Sequence, residues 1–166
     1  MAGIPAQHAW GYFFHMTDIR NLESIITQGL LSTNKKNDLG IKHVNIANMS
    51  IQNRRATMDV PCGQKGKVHD YAPFYFSSLN PMLLGVLNKK NQDQPFLIFL
   101  CLKISKLETL SAVFTDASAN TTEPPYFYDD VSDLDKLGGG GRLSEKSVQV
   151  EIYGVIVLLP LSGLVC

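Results

Sequence analysis

Cysteine, histidine and tryptophan are scarce in this 166-residue chain: three, four and one. Cys62, Cys101 and Cys166 are too few and too scattered for a disulfide framework or a zinc site. Cys101 stands in an apolar run and is expected to be a buried thiol, which suits a reducing compartment. The histidines have no metal-ligand spacing, so no metal is expected. Net charge is zero, which removes any global basic signal for nucleic acid. Long hydrophobic runs are also missing. The longest, from Ile152 to Cys166, is short and broken by Pro160, too little to span a bilayer. The first residues, MAGIPAQHAW, lack the basic and apolar regions of a signal peptide, so a cytoplasmic protein without a membrane segment is expected. There is no Gly-x-Gly-x-x-Gly after a strand, no phosphate-loop Gly-Lys-Ser/Thr, no His-Glu-x-x-His and no Gly-x-Ser-x-Gly. Rossmann, Walker, zincin and serine-hydrolase chemistry therefore have no motif to stand on.

What is present reads as one mixed α+β domain over residues 1–166. Ala9 to Met16 is a first strand, and Thr17 or Asp18 caps a helix over about residues 18–28 with an apolar face of Leu22, Ile25 and Ile26. Gly29 ends it. Residues 32–43 read as a loop, and 44–57 as a possible short helix leading into Arg54-Arg55. Pro61, Gly63 and Gly66 mark a turn. Tyr71 to Phe76 is strand-like, and Pro81 opens a short helix. Pro95 to Ile104 is a continuous apolar run, expected to be a central buried strand. Val113-Phe114 is a short strand, Tyr126 to Leu137 a short helix, and Val148 to Leu159 one or two strands. Four consecutive glycines, Gly138 to Gly141, impose no conformation. Charge is uneven. Residues 31–67 carry seven Lys/Arg against two acids, while 108–135 carry seven acids and no Lys/Arg. The basic stretch is either a phosphate-attracting region or a solvated face.

Three polar clusters interrupt apolar or aromatic segments: His15-Met16-Thr17, His69-Asp70 ahead of Tyr71-Ala72-Pro73-Phe74-Tyr75-Phe76, and Gln149-Val150-Glu151. Taken singly, His15 also reads as a core histidine, and His69-Asp70 as a turn. Glu151 alternates with Val148, Val150 and Ile152, which puts Gln149 and Glu151 on one strand face, toward water or a cleft. A carboxylate at the mouth of a buried strand needs a partner or a function.

The order of these segments resembles the DarT family of DNA ADP-ribosyltransferase toxins. The matching pieces are Phe14-His15-Met16-Thr17-Asp18-Ile19 with Asn21-Leu22 and Gly29-Leu30-Leu31; Ile51-Gln52-Asn53-Arg54-Arg55; Val60-Pro61; the stretch from His69 to Phe76 with Pro81-Met82-Leu83; Phe114-Thr115-Asp116; and Gln149-Val150-Glu151. They run in order from about residue 11 to about residue 157. The resemblance implies an ADP-ribosyltransferase-like fold, a split pair of small β-sheets with short helices and an NAD cleft. It implies NAD as substrate, transfer of ADP-ribose to a base in single-stranded DNA, and a macrodomain-type antitoxin as partner. A monomer is expected.

By the same resemblance, Glu151 is the catalytic glutamate, stabilising the oxocarbenium-like ribose of the transition state. Arg55 is the essential arginine, gripping the pyrophosphate of NAD or steadying the target base. His15 and Thr17, with Asn21 and Leu22, match the NAD site. Tyr71, Phe74 and Tyr75 form an aromatic patch, one or more of which stacks on nicotinamide. Arg54, Arg142 and Lys146 are the candidates for DNA contact, the latter two in the target-selecting loop before Glu151. This chain lacks the basic residue that relatives often carry between Phe76 and Pro81. Other acceptors (RNA or protein), NAD hydrolysis, and a non-enzymatic binding domain remain alternatives.

Overall fold

A computed structural model of the chain describes residues 3–6, 11–88, 96–118, 124–135 and 156–160. The first strand, β1 (Tyr12–Asp18), runs into a 3-10 turn at Ile19–Asn21 and then α1 (Leu22–Gln28). Asp18 caps the turn through the Arg20 amide, and Gly29 closes α1 at a φ of 82°. Both signals were legible in the sequence. Ile26 is not on an apolar face: it is 68% exposed.

Residues 32–43 are not a simple loop. Ser32 Oγ accepts the Lys35 amide and starts α2 (Thr33–Asp38). A polar helix of six residues has no apolar periodicity to announce it, so only its cap was readable. Asn48 likewise caps α3 (Met49–Thr57), which carries Arg54 and Arg55. A turn-rich stretch then leads to β2 (Tyr71–Tyr75). In it Gly66 holds a φ of 92°, and a Cβ there would lie 2.7 Å from Asp70 Oδ2. That oxygen accepts the Lys67 amide at 2.7 Å and anchors the 3-10 turn Val68–Asp70. The local turn anticipated at His69-Asp70 is therefore present.

After α4 (Pro81–Asn88) come β3 (Leu97–Lys103), β4 (Val113–Thr115), β5 (Phe127–Tyr128) and β6 (Ile156–Pro160). The strands form one antiparallel sheet in the order β3-β1-β2-β6-β4-β5. Its two halves are thinly joined. β1 pairs with β3 from Tyr12↔Lys103 to Asp18↔Leu97, but with β2 only at Phe14↔Tyr75. The anticipated split shows as this seam within a single sheet.

Three expectations are corrected. β3 is an edge strand rather than a central one, so Cys101 on it is an exposed thiol, not a buried one. A continuous apolar run does not distinguish a central strand from an edge strand with a covered face; Leu97 and Phe99 pack against a cluster of Met16, Ile46 and Val86, the last on α4. The segment from Tyr126 forms β5 and a 3-10 turn at Val131–Asp135 instead of one helix. Val148–Leu159 is described only from Ile156 onward.

Strand alternation gives the sheet two dissimilar faces. On one, Phe13, Ala72, Phe74, Phe114 and Leu134 form the main core. There Phe13 and Phe74 meet edge to face, with centroids 4.9 Å apart. On the other, Tyr71, Tyr75 and Val113 pack with Val60 and Val68. The cavity lies at the β1–β2 seam beside α2 and α3, where Tyr71 and Tyr75 reach it from this second face and His15 and Thr17 reach it from β1. Among the described residues no helix is long and apolar enough to cross a membrane.

Candidate active site

The seam between β1 and β2 opens onto a cavity of about 500 Å³, within the ~300–1,000 Å³ typical of small-molecule sites. His15, Thr17, Asn21, Arg55, Tyr71 and Tyr75 all line it. These come from β1, the turn after it, α3 and β2, so six residues separated by up to 60 positions in sequence converge.

His15 stands at the seam. Its Nδ1 lies 2.7 Å from the Pro73 carbonyl, where the strand ladder has already stopped. A carbonyl only accepts, so Nδ1 carries the proton and Nε2 keeps its lone pair. Burial pushes the His15 pKa down to about 4; the Pro73 hydrogen bond opposes this, and the charges of Lys36 and Arg55 add to the drop. The ring is therefore neutral at pH 7, an acceptor suited to a hydroxyl.

Thr17 Oγ accepts from Asn21 Nδ2 at 3.1 Å, which leaves its hydroxyl proton to donate elsewhere. Asn21 also holds the backbone of Val44 at both ends: its Nδ2 donates to the carbonyl at 3.0 Å and its Oδ1 accepts the amide at 2.8 Å. The asparagine thus positions the residue 41–47 wall of the cavity. Leu22 begins α1 and does not line the cavity.

Arg55 is the buried charge of the site, 4% exposed. Its Nη2 donates to Tyr75 Oη at 3.2 Å, and its Nε is a buried donor without an acceptor among the described residues. An unsatisfied guanidinium N–H costs about 1–3 kcal/mol or more, so it marks a place where an acceptor belongs. Arg54, the preceding residue, is exposed and off the cavity. The helical rotation of about 100° per residue separates the two arginines. One turn before Arg55, Gln52 Oε1 meets His69 Nε2 at 3.0 Å. Burial and the charges of Arg55 and Lys36 lower the His69 pKa, while Asp70 opposes them.

The aromatic patch divides by strand alternation. Tyr71 and Tyr75 face the cavity, with Tyr71 Oη donating to the Lys65 carbonyl at 2.6 Å. Phe74 does not: it is fully buried in the main core on the opposite face. Phe74 instead packs against the His15 ring from the core side, with centroids 5.6 Å apart. Glu151, Arg142 and Lys146 lie outside the described residues. Lys36, His43 and Gln52 line the cavity but did not stand out in the sequence. The Ser32 cap was the available signal for Lys36, since it starts the helix that carries it. Among the described residues there is no group of three or more His, Cys, Asp or Glu able to hold a metal.

Residues 14–138 match the family model described as "ssDNA thymidine ADP-ribosyltransferase, DarT". A DNA ADP-ribosyl transferase of Thermus aquaticus is 32% identical over 121 residues, covering 69% of this chain and 53% of the relative. One from Escherichia coli O127:H6 is 31% identical over 106 residues, covering 57% and 45%. The chain thus spans about half the length of the curated relatives it matches. The structure of Thermus sp. 2.9 DarT in complex with ADP-ribosylated ssDNA superposes with a TM-score of 0.74 at 25% identity, covering 96% of this chain and 78% of that one. The same protein in complex with NAD+ gives a TM-score of 0.67 at 25% identity, covering 95% and 77%. With the family model matching three quarters of its length and the fold shared throughout the described residues, the chain belongs to the DarT family.

Proposed function

We propose that this chain transfers ADP-ribose from NAD to a base in single-stranded DNA, with Arg55 and Glu151 as its central polar pair. The observation that carries this reading is the buried Arg55, with an N–H that lacks an acceptor among the described residues, in the wall of a nucleotide-sized cavity. Two likenesses support it: the Thermus sp. 2.9 protein is described with NAD+ and with ADP-ribosylated ssDNA.

The chemistry breaks the bond between C1′ of the ribose and the nicotinamide nitrogen. The bonding pair leaves with nicotinamide, and positive charge develops on the sugar. Neutral His15 offers Nε2 to a ribose hydroxyl, and Thr17 offers a hydroxyl donor beside it. Tyr71 and Tyr75 provide aromatic surface for the flat nicotinamide ring. Glu151 stabilises the developing cation and takes the proton that the attacking base nitrogen loses as its bond to C1′ forms. β6, which begins five residues after Glu151, starts at Ile156, paired with Tyr75, the partner of Arg55. A single-stranded target spares the enzyme the unpairing of a duplex. Arg54, exposed on α3, and Arg142 and Lys146 are the residues offered to DNA phosphate. On the same reading the chain is a cytoplasmic toxin countered by a macrodomain-type antitoxin.

Incubation with adenine-labelled NAD and single-stranded DNA, RNA or protein tests the proposal. Label on DNA, lost in Glu151→Ala, is the expected result. Label on RNA or protein, or free ADP-ribose alone, would refute the DNA acceptor.

A further inference from the structure

Arg55 is not the cavity's sole cation. Lys36 lines it from α2. The Ser32 cap starts this helix, and Asn34 Nδ2 ties it to the turn before β2 by donating to Asp70 Oδ1 at 2.6 Å. Among the described residues lining the cavity there is no aspartate or glutamate.

The two cations are held by different walls: the Ile41 amide donates to the Lys36 carbonyl at 2.9 Å, which sets Lys36 beside the residue 41–47 wall, whereas Arg55 donates to Tyr75 Oη on β2 at 3.2 Å. Arg55 and Lys36 both depress His15 and His69, whereas Lys36 alone of the two depresses His43. Lys36 therefore extends the cavity's positive field to His43, on the 41–47 wall. Burial also lowers the Lys36 pKa, as expected of an ammonium partly withdrawn from water. The three histidines are held toward their neutral forms, so Lys36 and Arg55 are the cavity's lasting charges. Two partly desolvated cations lining one cavity favour a ligand that carries more than one negative charge.

We propose that Lys36 is a binding residue that anchors the diphosphate of NAD from the His43 side, leaving Arg55 to the reacting ribose and base. The inference rests on the NAD reading above and resolves which of two jobs, phosphate or base, Arg55 performs. A diphosphate carries two negative charges, and an ammonium with three rotatable donors can meet it without a fixed orientation. The Arg55 Nε, which lacks an acceptor among the described residues, is then available to the ribose.

Calorimetric titration of wild type, Lys36→Met and Lys36→Arg with ADP-ribose and with adenosine tests this, alongside steady-state transfer from NAD. Methionine keeps the apolar stem and removes the charge. Loss of a charged hydrogen bond corresponds to about 10- to 100-fold. Lys36→Met should bind ADP-ribose that much more weakly, with adenosine affinity unchanged and Lys36→Arg recovering most of the loss. In turnover, KM for NAD should rise while kcat stays within about threefold. Equal ADP-ribose affinity in wild type and Lys36→Met overturns the proposal. So does an equal loss for adenosine, which would mark a structural role, or a fall in kcat at constant KM. Failure of the wild type itself to bind ADP-ribose would overturn the NAD reading, and this inference with it.

Discussion

Acidification should destabilise this protein through His15, and the size of the effect follows from the seam. Folded His15 titrates near 4, against an ordinary histidine value of 6.5. Between those values the unfolded chain binds a proton that the folded one refuses, so stability is fully present above pH 6.5 and is lost as pH falls toward 4. About 2.5 pKa units at 1.36 kcal/mol each give a loss of up to about 3 kcal/mol. That is a large fraction of a typical domain stability of ~5–15 kcal/mol. His43 and His69 are shifted the same way, so the wild-type profile alone does not isolate His15. His15→Gln does: it can still donate to the Pro73 carbonyl but does not titrate. Urea denaturation from about pH 7 to about pH 4.5 should show the wild type losing ground on the variant by about 2–3 kcal/mol. Parallel profiles would refute the claim that the seam buries a neutral histidine.

Three further outcomes follow from side-chain placement. Phe74→Ala should cost about 3–5 kcal/mol in denaturant unfolding, because Phe74 is fully buried in the main core. Arg55→Ala should reduce kcat/KM at least ~100-fold, against less than ~10-fold for exposed Arg54→Ala, read from initial rates of transfer. Tyr75→Phe removes the acceptor of the Arg55 hydrogen bond and should lower kcat about 3- to 10-fold with little change in thermal stability.

Caps and alternation carried most of what the sequence made legible. Asp18, Gly29 and Pro81 punctuate α1 and α4 where expected, and His15 and Thr17 do share a strand face that reaches the cavity. The choice of Arg55 over Arg54 rested on motif order, and helical rotation gives the physical reason the two differ. Three features were not legible. The polar α2 has no apolar stripe, so Lys36 sat in what read as a loop. The Phe74/Tyr75 division required knowing which face of β2 meets the core, and both residues are aromatic. The edge position of β3 depends on sheet order, which no local pattern encodes. Asn21 was anticipated as a pocket residue; its three hydrogen bonds to Thr17 and Val44 add a positioning task that only tertiary structure reveals.

A structure of the chain bound to an unreactive NAD analogue and a short single-stranded oligonucleotide addresses the central claim most directly. The account predicts the nicotinamide-side ribose between His15 and Arg55, the diphosphate toward Lys36, and the Glu151 carboxylate within hydrogen-bonding distance of the ribose 2′-hydroxyl. An analogue bound outside the β1–β2 seam, or one within it that leaves Arg55 and Glu151 out of contact, would contradict it.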